Sequence, residues 1–166
     1  ASIDRMIDTY RLDTNYFSVM MGLHPTSVKQ DYEKELLVMD EMLRDTPDLF
    51  VAVGEVGLDY YWDTTYKKEQ ISALEQQLDW ALSYNLPVVL PCRYAYFDLA
   101  ALLVKPEYQM LRGVIQSFSG TEEELDLFLP LDNWFIGVNG IITFKNSNLQ
   151  TFIKKVPLER LLIETD

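Results

Sequence analysis

Val51-Ala-Val-Gly-Glu-Val-Gly-Leu-Asp-Tyr-Tyr-Trp62 is the stretch whose reading sets the pattern for the rest of the chain. Val51 to Val53 is a short apolar run with β-branched residues, which reads as a buried strand. Gly54 ends its side-chain ladder, and Glu55, Gly57 and Asp59 follow beside an aromatic cluster. A carboxylate just past a buried strand, flanked by glycines, has rigid support and little bulk around it. That placement suits a metal ligand or a general base. A glycine–acid turn facing water has the same local sequence, so both readings of Glu55 stand at this point.

Working outward, the same unit of strand, loop and helix recurs. Residues 1–12 read as the tail of a helix, with Ile3, Ile7 and Tyr10 near one face. Phe17 to Leu23 reads as a strand ending in Gly22-Leu-His-Pro25, and Thr26 to Arg44 as a helix with Pro47 beyond it. Lys67 to Tyr84 is the clearest helix: Ile71, Leu74, Leu78, Ala81 and Leu82 recur three or four apart, with glutamates and glutamines elsewhere. Pro87-Val-Val-Leu90 reads as a strand running into Pro91-Cys92-Arg93, followed by a short helix from Tyr96 to Val104. Gly113 to Phe118 is a strand ending in Ser117-Phe-Ser-Gly120. Thr121 and Glu124 then have the form of a capping box. Trp134 to Val138 is a strand ending at Asn139-Gly140, Asn146 to Val156 a helix, and Leu161 to Ile163 a strand ending in Glu164-Thr-Asp166. Six strands alternating with helices predict a parallel sheet with helices outside, in one domain spanning 1–166. In such folds function gathers at the carboxyl ends of the strands. His24, Glu55, Arg93, Ser117, Asn139 and Asp166 all fall there.

Composition narrows the classes. The 166 residues are enough for one domain with a sizeable core, and 48% hydrophobic residues exclude a disordered chain. No apolar run approaches the ~20 residues of a membrane span. The start resembles neither a signal nor a transit peptide, and it is not an initiator methionine. One cysteine, Cys92, excludes an internal disulfide and points to a reducing, cytoplasmic setting. A net charge of −12 excludes a basic-patch nucleic-acid binder. It leaves room for an enzyme in which bound cations invert the local field. The single histidine limits any imidazole-based metal chemistry.

Each candidate has a plainer counterpart. Glu55 and Asp166 are two strand-end carboxylates that suit divalent metal or proton transfer, or two unrelated surface acids. His24 is a ligand or a structural hydrogen-bonding residue. Zinc sites need three or four ligands, several of them nitrogen or sulfur, more than one histidine and one cysteine supply. Arg93 is a bidentate phosphate clamp or a salt-bridge partner, and Lys145 is a weaker candidate of the same kind. Cys92 has no base nearby in the sequence and reads as a buried thiol rather than a nucleophile. Tyr60, Tyr61 and Trp62 either stack on a base or sugar or cap the mouth of the fold.

Six stretches in order resemble the TatD family of metal-dependent deoxyribonucleases, which are amidohydrolase-like TIM barrels. They are Gly22-Leu-His-Pro25, Gly54-Glu-Val-Gly-Leu-Asp-Tyr60, Pro87-Val-Val-Leu-Pro-Cys-Arg93, Gly113-Val-Ile-Gln-Ser-Phe-Ser-Gly120, Gly137-Val-Asn-Gly-Ile-Ile-Thr-Phe-Lys-Asn146 and Pro157-Leu-Glu-Arg-Leu-Leu-Ile-Glu-Thr-Asp166. The resemblance implies a TIM-barrel (β/α)8 hydrolase fold, here incomplete: about six βα units, without the first two strands and the last helix. It implies DNA as substrate and a divalent metal (magnesium, manganese or zinc) held by Glu55 and Asp166, with both acids catalytic. Arg93, His24 and Lys145 would bind substrate.

The resemblance also marks departures. The histidine that the family carries after its Pro-Val-Val-Leu strand is Pro91, the one before Ser-Phe-Ser-Gly is Gln116, and an N-terminal His-x-His is absent. Proline offers no donor atom, and an amide oxygen is a weak ligand. These changes imply an impaired hydrolase with weak or no metal binding. The alternative is an inactive relative kept as a binding or assembly scaffold. Related barrels also hydrolyse other esters and amides. An open sheet exposes its edges, which implies a homo-oligomer or a covering partner.

Overall fold

The computed structural model describes residues 3–165, so Ala1, Ser2 and Asp166 lie outside the described residues. Among the described residues there are seven strands, with helices between all but the second and third: β1 (Val19–Met21), β2 (Phe50–Val53), β3 (Leu58–Asp59), β4 (Val88–Arg93), β5 (Gly113–Gln116), β6 (Trp134–Val138) and β7 (Leu161–Ile163). Every pairing is parallel, in the order β1-β2-β4-β5-β6-β7, with β3 also on β4. The sheet is of the parallel α/β barrel type but is not closed by hydrogen bonds, since β1 and β7 are its two edges. Among the described residues, no helix is long and apolar enough to cross a membrane.

The sequence pattern predicts six strands, and β3 is the addition. It is two residues long, too short for a period-two pattern, and it exists because Leu58 and Asp59 pair with Cys92 and Arg93. β4 also runs through Pro91 in the middle of the sheet, a position that proline normally excludes by removing a ladder hydrogen bond. The Val88 amide donates to Arg112 O, on the β5 side. Alternation turns the nitrogen of residue 91 to the other side. There β2 has ended at Val53 and β3 begins only at Leu58, so the missing N–H falls at a break in the neighbouring ladder.

Among the described residues, six α-helices cover the sheet: α1 (Ile3–Leu12), α2 (Tyr32–Asp45), α3 (Lys67–Ser83), α4 (Tyr96–Leu103), α5 (Glu122–Asp126) and α6 (Leu149–Phe152). α5 starts on the predicted capping box, with both the Thr121 and Glu124 arms made. Two predicted helices are shorter than their apolar patterns. Residues 25–27 form a separate 3-10 turn after His24, and extended Val28 splits it from α2. The Ser147 hydroxyl accepts from the Leu149 amide, so α6 starts only there.

α3 is where the pattern misleads. Leu74 and Leu78 are fully buried as expected, but Gln70 and Gln77 are buried too, at 4% and 1% exposure. They lie seven residues apart on the face turned to the sheet. The core itself is one continuous cluster running from Val19 to Val156. At the β7 edge, Leu162 and Ile163 remain exposed.

Candidate functional site

A cleft of about 340 Å³ opens at the carboxyl ends of the strands. His24 comes from the loop after β1, Glu55 from the loop after β2, Asp59 and Arg93 from the ends of β3 and β4, Gln116 from the end of β5, and Asn139 from just past β6. Topology alone brings them together, because parallel strands all deliver their following loops to one rim.

Each position has a specific support. Glu55 follows Gly54 through a cis peptide, and Oε1 accepts a 2.9 Å hydrogen bond from Gln116 Nε2. Gly57 lets the chain pass close to β4, where a Cβ would stand 2.1 Å from Pro91 O. Pro91 and Gln116 are register partners on β4 and β5. Having no donor or acceptor on its side chain, Pro91 contributes shape alone.

The oxygen of that same Gln116 amide is the odd atom of the site. Among the described residues, Gln116 Oε1 is buried without a hydrogen-bond partner, and such an orphan costs about 1–3 kcal/mol. Flipping the amide would not relieve it, because that would set oxygen against the Glu55 carboxylate.

His24 is half-buried, and its Nδ1 accepts from the Thr26 amide at 3.3 Å, with Thr26 Oγ1 2.7 Å away. An Nδ1 that accepts puts the proton of the neutral ring on Nε2. His24 therefore offers an N–H donor, suited to an anion.

Asp59 is 5% exposed and organises its surroundings. Its Oδ2 pairs with Arg93, with Nε at 2.7 Å and Nη2 also in contact. Its Oδ1 accepts from the Tyr61 amide. Of the two readings of Arg93, the salt bridge is present. It leaves Nη1 outside the pair, and Arg93 still lines the cleft.

Glu164 was not singled out by pattern, although it belongs to the terminal Glu-Thr-Asp. Its carboxylate accepts from the Ser117 amide, and Gly137 makes room for it, since a Cβ there would lie 2.2 Å from Glu164 Oε1. Ser117 sits at φ 49°, a left-handed conformation uncommon outside glycine that clusters at functional sites. Ser117 Oγ in turn accepts from Asn139 Nδ2 at 2.9 Å.

Gln70 and Gln77 were missed for a different reason: glutamine on a helix is ordinarily a solvent residue. Gln77 Oε1 accepts from the Leu23 amide at 2.6 Å, one residue before His24. Gln70 bonds both the amide and the carbonyl of Asp59. The two side chains tie the loop after β1 and the end of β3 to α3.

Two candidates stand apart. Lys145 is exposed and is not among the residues lining the cleft. Asp166 lies outside the described residues. Cys92 is 2% exposed, and burial pushes its thiol well above the usual range, so it is a poor nucleophile.

Among the described residues, no three histidine, cysteine, aspartate or glutamate side chains converge as metal donors. A zinc or two-ion centre does not fit this set. What the cleft offers is the Glu55 carboxylate, the Asp59 carboxylate already paired with Arg93, and the Gln116 amide, whose buried oxygen has no partner among the described residues. These are hard oxygen donors of the kind a single magnesium-type ion takes, together with water.

Comparison with known proteins places these features in a family. A family model described as TatD related DNase matches residues 1–166. The uncharacterized metal-dependent hydrolase YjjV of Escherichia coli K12 is 36% identical over 147 residues, covering 88% of this chain and 56% of that protein. The 3'-5' ssDNA/RNA exonuclease TatD of Edwardsiella piscicida is 36% identical over 148 residues, covering 87% and 55%. The crystal structure of YjjV superposes with a TM-score of 0.87 at 32% identity, over 99% of this chain and 62% of that one. A TatD-family hydrolase of Entamoeba histolytica gives 0.75 at 32% identity, over 98% and 55%. The chain thus spans a little over half the length of these relatives.

Proposed function

The chain belongs to the family of TatD-related DNases, and from that premise we propose that its cleft binds and hydrolyses phosphodiesters of single-stranded nucleic acid with the help of a divalent cation. The observation that carries the proposal is the Glu55 carboxylate beside the partnerless oxygen of Gln116, both in the strand-end cleft. Several relatives are named uncharacterized metal-dependent hydrolases, and another is named a 3'-5' ssDNA/RNA exonuclease. Glu55 and Asp166 would hold the cation, with Gln116 Oε1 as a further oxygen. When bound, it supplies charge neutralisation at phosphate and an acidified water.

The remaining residues have roles that need no cation. His24 Nε2–H donates to a phosphate oxygen, and Arg93, held by Asp59, adds its Nη1 hydrogens and positive charge to a cleft otherwise lined by acids and neutral groups. Asn139 holds the Ser117 hydroxyl and so keeps the rim in place. A reducing, cytoplasmic setting accords with the single buried thiol. The open β7 edge, with Leu162 and Ile163 exposed, supports a covering partner or a second copy, which size-exclusion chromatography would read.

The test is calorimetric titration of magnesium, manganese and zinc into the protein, Glu55→Ala and Asp166→Ala. Saturable magnesium or manganese binding that both substitutions abolish, together with cleavage of a single-stranded oligonucleotide, is the expected result. A folded sample that binds none of them at millimolar concentration ends the hydrolytic reading.

A second reading, nucleic-acid binding without turnover, is favoured by one observation. Gln116 Nε2 already occupies Glu55 Oε1, and Pro91 beside it has no donor. The double variant Pro91→His, Gln116→His decides between them. Metal affinity and cleavage that rise well above the parent protein indicate a site decayed from a metal centre. No change in either, with both proteins equally active, leaves the parent site sufficient as it is.

A further inference from the structure

Beside the cleft, Tyr61, Trp62 and Tyr94 make an exposed aromatic surface that the proposed hydrolytic roles do not use. Tyr61 and Tyr94 are stacked, with ring centroids 5.5 Å apart and planes at 29°. Trp62 meets Tyr61 edge-on at 4.5 Å. Their exposures are 49%, 75% and 73% for Tyr61, Trp62 and Tyr94, so burial of apolar area does not account for their being together.

The arrangement is built rather than incidental. Pairing of Asp59 with Arg93 in the sheet delivers the chains of residues 61 and 94 side by side. The Asp59 carboxylate then fixes both, taking the Tyr61 amide on one oxygen and the Arg93 guanidinium on the other. That guanidinium lies 5.2 Å from the centroid of the Tyr61 ring. Tyr94 holds φ at 56°, a conformation that a bulky residue adopts only when its surroundings demand it.

The surface is also continuous with the cleft. Arg93 lines the cleft and touches Tyr61. Tyr94 begins the wall of a neighbouring groove of about 940 Å³, and Ser119 and Ile141 line both hollows. A ligand leaving the cleft therefore passes Tyr94.

Resting on the nucleic-acid reading above, we propose that Tyr61, Tyr94 and Trp62 form a stacking platform for a nucleobase of single-stranded substrate, next to the phosphate that Arg93 faces. The charge of the chain favours such a contact. At −12 overall the chain cannot hold a polyanion by a basic track. Stacking is indifferent to charge and to base identity. Paired bases hide their faces, so the platform selects unpaired strands.

The experiment uses fluorescein-labelled tetrathymidylate and an abasic tetranucleotide of the same length, titrated in calcium buffer and followed by anisotropy. Trp62 provides a built-in reporter, because Trp80 and Trp134 are buried. Tetrathymidylate should bind more tightly than the abasic strand and quench tryptophan emission. Tyr94→Ala should weaken binding by about 5- to 150-fold, and Tyr94→Phe should retain it. With roughly one phosphate neutralised, log K should fall by only about 0.7 per decade of salt. Equal binding of the two strands, unaffected by Tyr94→Ala, overturns the platform and leaves the nucleic-acid reading standing. Binding of neither strand overturns both.

Discussion

Replacing Gln77 by leucine tests whether a buried amide on α3 holds the loop that carries His24. The two side chains are similar in volume, so no large cavity opens and the hydrogen bonds are isolated from the packing. Gln77 is 1% exposed, and Oε1 accepts from the Leu23 amide at 2.6 Å. Nε2 donates to Ala73 O at 3.0 Å and reaches Leu23 O at 3.5 Å. The last contact is too long to count for much, and a helical carbonyl keeps its backbone partner. What remains is a buried Leu23 N–H left without an acceptor, a loss of about 1–3 kcal/mol. For a chain of this size that lowers Tm by roughly 2–4 °C per kcal/mol.

Urea and thermal melts of the two proteins give the stability difference, and hydrogen exchange at Leu23 gives its cause. The amide should be protected in the parent and exchange much faster in Gln77→Leu, with weaker binding of oligonucleotide because His24 is no longer held. A change within about 0.5 kcal/mol, the range of an indifferent surface substitution, would refute the reasoning. So would a destabilised variant in which Leu23 stays protected.

Three further outcomes follow from the same geometry. Burial raises the Cys92 thiol above its ordinary 9.0, and burial raises Tyr96 from 10.0 to about 12 and Tyr108 to about 12. The folded state thus keeps protons that the unfolded chain gives up, so stability falls as pH rises from about 9. The slope for the first group is about 1.4 kcal/mol per pH unit. Urea melts between pH 8 and 10 check this, and Cys92→Ala should flatten the first part of the decline. Arg160 donates to four backbone carbonyls, those of Phe128, Leu129, Leu131 and Trp134, at 2.7–3.0 Å. Arg160→Met should cost about 3 kcal/mol or more in a urea melt, and Arg160→Lys should recover only part of it, because an ammonium lacks the fork. Gly137→Ala drives a methyl group into the Glu164 carboxylate, and should cost about 1–3 kcal/mol and weaken oligonucleotide binding. Unchanged melting and binding would show that the Glu164–Ser117 contact does not hold the rim.

The periodicities of the chain were enough to determine the alternating α/β plan, the ends of α3 and α4, and the capping box of α5. Those features depend on apolar spacing and on side chains that reach only a few residues along the chain. Placing His24, Glu55, Arg93, Ser117 and Asn139 at strand ends was equally legible, and parallel topology does the rest, because it brings every strand end to one rim. The partners were not legible. Gln77 meets Leu23 and Arg93 meets Asp59 across 54 and 34 residues, and nothing in the local pattern of either partner signals the other. The two-residue β3, the tolerance of Pro91 in a central strand and the burial of Gln70 and Gln77 share this origin. Each is decided by what lies opposite after the sheet has formed. Sequence determined which residues reach the rim of this protein, and tertiary structure decided which are held, which are paired and which are left to meet a ligand.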